Sequence, residues 1–451
     1  MNDDLTLSEL SARTGETEDE LRKWQALGLI AAPGDERFVL DDVYRARLLQ
    51  LLLRRGISLA VIAQTEQRSP FLASRLEGIF PTAGGPTYSL PEAAQVAGID
   101  VDTARRLWQA GGLGDPDELT EEDVAALRGA RRFLTAGFPE EALLQVFRVF
   151  ADCLDRAAEA GQRAFHFYIH EALRGSGTSA GDALFSEQGT SERIRPLVEP
   201  SILYFFRKGD AKALRDDLVL HVAEDAGLID APETPGQMTR AIIFTDLSSF
   251  TPLSDAMGDR EAAGIVDRFS ALVREATMRW DGRVVKQIGD AFMLAFADAK
   301  PAICCAVEIE TNVADQSQFP AARSGVHWGE VLYRDGDYVG LNANIASRVA
   351  ELAERHQVMV TGAARKQAGS VAGLDFARAG KRRLRGVAEE VELFTARPVA
   401  GGARAKVIDP VCGMEIGEEE VAARLALDGK ERPFCSDDCL RLFVANPERY
   451  P

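Results

Sequence analysis

The sequence predicts a multidomain chain: an all-α N-terminal half, a domain of mixed strands and helices beginning near residue 239, and a small cysteine-containing module at the C-terminus. Three observations lead there. A helical pattern occurs twice in the first 140 residues, short apolar runs suited to buried strands begin at Thr239, and Cys412, Cys435 and Cys439 crowd the last tenth of the chain. At about 150 residues per domain, 451 residues give a prior of roughly three such units.

Composition narrows the function classes. Hydrophobic content of 46% with 27% charged residues is the balance of a packed chain, which excludes wholesale disorder and low-complexity architecture. Lys and Arg total 52 against 70 for Asp and Glu, a net charge of -18, which disfavours a protein held mainly by nucleic-acid phosphates or an anionic membrane. Met1 to Leu10 carries Asp3, Asp4 and Glu9 where a secretory signal needs a positive start and an apolar run. The most apolar stretch, Leu48 to Leu53, is bounded by Arg47, Arg54 and Arg55 and is far shorter than the roughly 20 residues that span a bilayer. A cytoplasmic chain is expected. Six cysteines are too few for a disulfide scaffold, so their terminal clustering needs a local cause.

The helical half is built on a repeat. Leu7 to Gly15 and Lys23-Trp-Gln-Ala-Leu-Gly-Leu29 parallel Leu90 to Gly98 and Leu107-Trp-Gln-Ala-Gly-Gly-Leu113, with one residue gained. The echo continues from Asp42-Val43 to Gly56 and from Asp123-Val124 to Gly137, so each copy is a short helix, a turn, a second helix, a connection and a third helix. Thr17 to Glu20 and Thr120 to Asp123 suit helix N-caps, and Gly56 and Gly137 suit helix ends. Residues 1–70 resemble the helix-turn-helix module of the MerR family. They carry 12 acidic residues against nine Lys or Arg, whereas a DNA-reading module is normally basic. DNA binding is therefore weighed below a regulatory or protein-contact role.

From Pro139 to about Arg174, Leu143, Val146, Phe147, Phe150 and Leu154 recur at three- and four-residue steps, the mark of a long amphipathic helix with a partner. His166 and His170 lack a third ligand and are read as packing beside Phe165 and Phe167. Arg174 to Gly189, rich in Gly and Ser, reads as a loop before more helix to about Glu224, and Pro232 and Pro235 mark a linker over 226–238.

The chemistry begins at Thr239. Thr239-Arg-Ala-Ile-Ile-Phe-Thr-Asp246 has the form of a buried strand delivering Asp246 to a sheet edge. Val284 to Phe296 reads as a hairpin whose Gly289-Asp290 turn is type II′, with Asp290 at the tip. Beside the first strand, two carboxylates would converge as hard oxygen ligands for Mg²⁺. Asn344 and Arg348, four apart on a helix entered after Gly340, would present an amide and a guanidinium on one face toward phosphoryl charge.

Together these segments resemble the class III nucleotide cyclase catalytic domain over residues 239–397, through Phe244-Thr-Asp-Leu-Ser-Ser-Phe-Thr251, Lys286-Gln-Ile-Gly-Asp-Ala-Phe-Met293 and Tyr338-Val-Gly to Asn344-Ile-Ala-Ser-Arg348. The resemblance implies a ferredoxin-like α+β fold and a head-to-tail homodimer with active sites at its interface. It further implies that Asp246 and Asp290 hold two Mg²⁺ or Mn²⁺ ions. Lys286 and Asp337 match the pair that reads the base, Lys donating to adenine N1 and Asp accepting from the N6 amino group, which favours ATP over GTP. Asn344 would orient the ribose and Arg348 would stabilise charge on the α-phosphate. In this family the metal aspartates and the other four residues come from opposite chains. Arg385 stands where the family often has a phosphate-binding Lys, keeping the charge with different geometry. Residues 84–225 look like the helical regulatory domain that precedes some bacterial cyclase domains.

After a Gly-Ala linker at Ala400 to Ala403, residues 405–451 resemble the YHS domain through Asp409-Pro-Val-Cys-Gly-Met414, Phe434-Cys-Ser-Asp-Asp-Cys-Leu440 and Asn446-Pro-Glu-Arg-Tyr450. Cys412, Cys435 and Cys439 could hold Zn²⁺ or Cu⁺, or be buried thiols of a small fold; no fourth ligand is evident. Cys304 and Cys305, inside an apolar helix, are read as buried thiols. The leading expectation is an adenylate cyclase making cyclic AMP and pyrophosphate, regulated by its helical half. The alternative is a DNA-binding or metal-sensing regulator that keeps a silent cyclase fold as a dimerisation scaffold.

Overall fold

A computed structural model describes residues 5–68, 72, 87–113, 119–175, 180–227, 229, 231–399 and 406–450. The linker expected at Ala400 to Ala403 lies outside them. The chain divides into two compact units, Met1–Ile229 and Asp230–Pro451.

In the first unit the repeat is realised element by element. Helices α1 (Leu7–Thr14), α2 (Glu18–Ala26) and α3 (Leu40–Arg54), followed by α4 (Leu59–Arg68), have counterparts of the first three in α5 (Leu90–Ala97), α6 (Val101–Ala110) and α7 (Glu121–Thr135). An isolated antiparallel bridge closes each copy, Leu5 with Phe38 and Tyr88 with Leu119. The expected caps form: the Thr17 hydroxyl accepts from the Glu20 N–H, and that of Thr120 from the Asp123 N–H. Gly56 and Gly137 lie just past their helices with φ of +83° and +91°, backbone that a side chain disfavours. Each copy buries its own small core, around Trp24, Leu29, Phe38 and Leu49 in the first and Leu90, Ala104, Leu119 and Val124 in the second.

The amphipathic segment is helical throughout: α8 (Glu140–Phe165), a wider π turn at His166–His170, and α9 (Glu171–Gly175). The loop expected over Arg174 to Gly189 is corrected by the structure, because α10 (Ala180–Asp225) already begins at Ala180; residues 176–179 are outside the description. Ser and Gly cost a helix only tenths of a kcal/mol to about 1 kcal/mol each, a cost that a helix running on to Asp225 absorbs. Phe150 of α8 meets Phe206 of α10 edge to face, ring centres 6.0 Å apart.

The second unit is organised by one mixed sheet. Its strands are β1 (Gln237–Leu247), β2 (Arg283–Ile288), β3 (Ala291–Phe296), β4 (Ala322–Arg334), β5 (Asp337–Val339), β6 (Gln357–Thr361), β7 (Leu374–Arg383) and β8 (Glu390–Pro398), in spatial order β2-β3-β1-β4-β6-β8-β7 with β5 paired to β4. All pairings are antiparallel except β4 with β6. The apolar run of β1 is buried on both faces, as a central strand requires. Ala241 and Ile243 pack with Phe292, Leu294 and helices α12 (Asp259–Arg279) and α13 (Ala299–Ala314), which follow the short α11 (Phe250–Met257). Ile242 faces the other way, toward Met293 and α14 (Leu341–Leu352). Gly325 lets α14 lie close on β4, since a Cβ there would stand 2.2 Å from the Ala350 nitrogen. Helix α15 (Gly362–Ala368) joins the α12–α13 side. Cys305 is fully buried, its thiol pushed up to about 12 by burial, as expected for a core thiol.

The C-terminal module consists of two hairpins, β9 (Lys406–Ile408) with β10 (Glu415–Gly417) and β11 (Ala423–Leu427) with β12 (Lys430–Phe434), and the helix α16 (Asp437–Ala445). It has no separate core: Val411, Met414, Ile416, Phe434 and Phe443 belong to the same apolar cluster as Phe269 and Phe319.

Candidate active site

The end of β1 assembles the two carboxylates. Asp246 lies one residue before the strand's last residue and opposite Arg323 of β4, whose guanidinium grips it with two bonds, Nε to Oδ1 at 2.7 Å and Nη2 to Oδ2 at 2.9 Å. Asp290 sits in the β2–β3 turn, where Gly289 has φ +61° and Asp290 has none of that sign, as a type II′ turn requires. From there its Oδ2 accepts the Leu247 N–H at 3.3 Å, which brings it to Asp246 across the end of the sheet. Burial raises the Asp290 carboxyl above its ordinary range, and the Asp246 charge adds to this. Two carboxylates facing one guanidinium leave excess negative charge and oxygen donors, a set that fits a divalent hard cation.

The two residues expected to read the base also meet. Lys286 of β2 contacts Asp337 Oδ2 at the start of β5, and Asp337 Oδ1 accepts the Tyr338 N–H at 2.8 Å, so both carboxylate oxygens are engaged. The β4–β5 arm makes this contact by packing Tyr333 and Tyr338 with Val285 and Met293 on the α14 face of the sheet. Asn344 and Arg348 stand one turn apart on α14, Asn344 exposed and Arg348 half-buried. Arg348 turns to Glu351 of its own helix, Nη1 to Oε1 at 2.7 Å, and not to either carboxylate. Arg385 lies exposed in the turn between β7 and β8. Arg323 was not legible as a site residue: it is one of three charged residues in β4, with Glu330 and Arg334, and the register across β1 and β4 alone reveals its partner.

In the C-terminal module Cys412, Cys435 and Cys439 converge, with Sγ–Sγ separations of 3.6 Å for Cys412–Cys435 and for Cys435–Cys439. Asp409 is a fourth potential donor, all four ligand atoms lying within 4.8 Å of one another. Tetrahedral Zn–S bonds of about 2.3 Å imply S–S edges of about 3.8 Å, so the spacing fits such an ion. Asp409 also shapes the site: its Oδ1 accepts the Val411 N–H at 2.8 Å and its Oδ2 the Cys435 N–H at 2.7 Å. The neighbouring Cys412 and Cys435 thiols hold the Cys439 thiol below its ordinary range, while the contact with Cys435 pushes Cys412 up.

Comparison with known proteins finds four families along the chain. Residues 236–396 match the adenylate and guanylate cyclase catalytic domain, 40–206 the adenylate cyclase regulatory domain, 5–69 the MerR helix-turn-helix family regulatory protein and 407–451 the YHS domain. An adenylate cyclase of Glutamicibacter nicotianae is 30% identical over 279 residues, 59% of this chain and 68% of that protein. The chain belongs to the adenylate cyclase family. A pH-sensitive adenylate cyclase of Mycobacterium tuberculosis is 29% identical to this cyclase over 365 residues, 78% of this chain and 88% of that protein. Among solved structures, an adenylate cyclase of Trypanosoma brucei described in its monomeric state is 23% identical and covers 38% of this chain and 94% of its own, with a TM-score of 0.34. Among the described residues of this cyclase, no helix is long and apolar enough to cross a membrane.

Proposed function

We propose that this chain converts ATP to 3′,5′-cyclic AMP and pyrophosphate at sites formed between two copies of itself. The observation that carries this reading is the convergence of Asp246 and Asp290 beside a single guanidinium at the end of β1. Asp246 and Asp290 hold the divalent ions. Two Mg²⁺ or Mn²⁺ ions, when bound, supply the charge that activates the ribose 3′-oxygen and neutralises the triphosphate. Lys286 donates to adenine N1 and Asp337, fixed by the Tyr338 N–H, accepts from the N6 amino group. Asn344 orients the ribose, Arg348 stabilises charge developing on the α-phosphate, and Arg385 meets phosphate. Arg348 is paired with Glu351 of its own helix and Asn344 is exposed, an arrangement that suits their delivery to a partner's site.

Residues 1–70 and 84–225 act as regulatory units in this reading, and 226–238 as the linker to the catalytic residues 239–397. DNA reading by the first unit is disfavoured because α2 opens with Glu18, Asp19 and Glu20. In the module over 405–451, Cys412, Cys435, Cys439 and Asp409 hold Zn²⁺ or Cu⁺.

The test is to incubate the purified chain with ATP and Mn²⁺ and assay cyclic AMP. No product, or product unchanged in Asp246→Ala, refutes the reading. Mixing Asp246→Ala with Arg348→Ala tests the shared site: each alone is inactive and the mixture regains activity, whereas a silent mixture refutes it.

A further inference from the structure

We infer that the C-terminal module is a built-in effector of the cyclase centre: the turn that carries Cys412 is seated on the loop after Asp246, and a thiophilic cation on the cysteines sets the rigidity of that loop. This rests on the proposed roles of Asp246, Asp290 and the cysteine cluster.

The contact is close at both ends. Gly413, next to Cys412, has no room for a side chain, since a Cβ would stand 2.7 Å from that of Ser249. Ser249 lies three residues after Asp246 and holds left-handed backbone, φ +64°, that a serine adopts only where its surroundings fix it. The intervening residues are tied to the site: the Ser248 N–H donates to Ala321 O at 2.7 Å and the Leu247 N–H to Asp290.

Two basic side chains clamp the module in this seat. Arg355 donates through Nη2 to the Gly413 carbonyl at 2.8 Å and to Glu415 Oε1 at 3.2 Å. His356 Nε2 meets Glu415 Oε2 at 2.7 Å, and the Glu415 N–H reaches Phe319 O at 3.2 Å. Arg355 and His356 lie three and four residues past the end of α14, the helix of Asn344 and Arg348, so the module is also tied to the chain that leaves this helix. On its other side the same turn is bound to the cluster. Asp409 donates its N–H to Met414 O and accepts the Gly413 N–H at its carbonyl, while its carboxylate reaches Cys435. A cation that draws the thiolates and Asp409 inward, with the thiol protons leaving to solvent, therefore moves or locks the Cys412–Glu415 turn and the loop beneath it.

Zinc alone, added to chelator-stripped full-length protein, is the probe. Amide hydrogen exchange over residues 247–250 is expected to slow about fivefold or more on zinc uptake, the lower end of ordinary coupling between sites. The apparent KM for Mn²⁺ in cyclic AMP formation is expected to change alongside. Glu415→Gln should still take up zinc but lose both responses, and Cys435→Ser should lose the uptake and the exchange response, exposing any direct effect of zinc at the carboxylates. Zinc uptake with unchanged exchange at 247–250, an undiminished response in Glu415→Gln, or no zinc uptake at the cysteines overturns the inference. Absence of cyclic AMP from the wild-type chain would instead refute the cyclase reading, and the exchange measurement distinguishes the two.

Discussion

Replacing Glu310 by Gln should make the catalytic unit more stable in alkali and remove a slope from its pH profile. Glu310 of α13 is buried, 6% exposed, with Oε1 accepting from the Ser324 hydroxyl at 2.9 Å and Oε2 without a hydrogen-bond partner. His356 Nδ1 is 3.9 Å away, and the Asp246 and Glu415 charges are near enough to act on it. Burial pushes its carboxyl from 4.5 up to about 8. Between these values the folded chain keeps a proton that the unfolded chain has released. Stability from this group is therefore full below about pH 4.5 and is lost as pH rises toward 8. At about 1.36 kcal/mol for each pH unit the whole effect is on the order of 5 kcal/mol. Gln keeps the shape and the Ser324 contact without a charge to bury. Urea unfolding of the full chain at pH 5, 6.5 and 8, followed through fluorotryptophan resonances of Trp280 and Trp328, should show wild type and variant close together at pH 5 and diverging as pH rises. Parallel profiles would refute the argument.

Asp290, raised by burial and by Asp246, binds a proton in competition with the cation, so the apparent KM for Mn²⁺ should rise as pH falls toward the acid side, and activity against Mn²⁺ at several pH values checks this. Lys286→Ala removes the proposed charge-assisted bond to adenine N1, worth about 1.5–3 kcal/mol, and should raise KM for ATP about tenfold or more, with less effect on GTP in competition assays. In the first unit Asp42 accepts the N–H groups of Ala31 at 2.7 Å and Val39 at 2.9 Å, so Asp42→Ala should cost about 2–3 kcal/mol, read from thermal unfolding by circular dichroism. Phe150→Ala should cost the α8–α10 hairpin its edge-to-face contact, about 0.5–1.5 kcal/mol beyond lost area, in the same assay.

What the sequence discloses is what local pattern and spacing encode. The apolar run before Asp246, the glycine turn before Asp290 and the doubled caps of the helical repeat are each set within a dozen residues, and each forms as expected. Lys286 and Asp337 were paired by the family resemblance and not by periodicity, and they are in contact. Features decided by tertiary register escape such reading. Arg323 finds Asp246 only through the pairing of β4 with β1, and Glu310, His356 and Glu415 come from separate elements that pack together. Asp409 joins the three cysteines only in the fold, where its carboxylate also accepts the Val411 N–H. The Gly and Ser residues near 180–189 suggested a loop because composition alone does not weigh a helix that continues to Asp225.

The shared core of the C-terminal module has a consequence for biogenesis. Phe319, Phe434 and Phe443 complete one apolar cluster, although more than a hundred residues separate the first from the other two. Domains generally fold as units while the ribosome is still at work. Here residues 239–398 can emerge with their sheet paired and still expose the surface that Val411, Met414 and Phe434 will cover. During translation the nascent catalytic region thus carries an unsealed apolar face until residues 406–450 have left the tunnel, and a chain stalled or clipped before them would expose a surface that chaperones and proteases recognise.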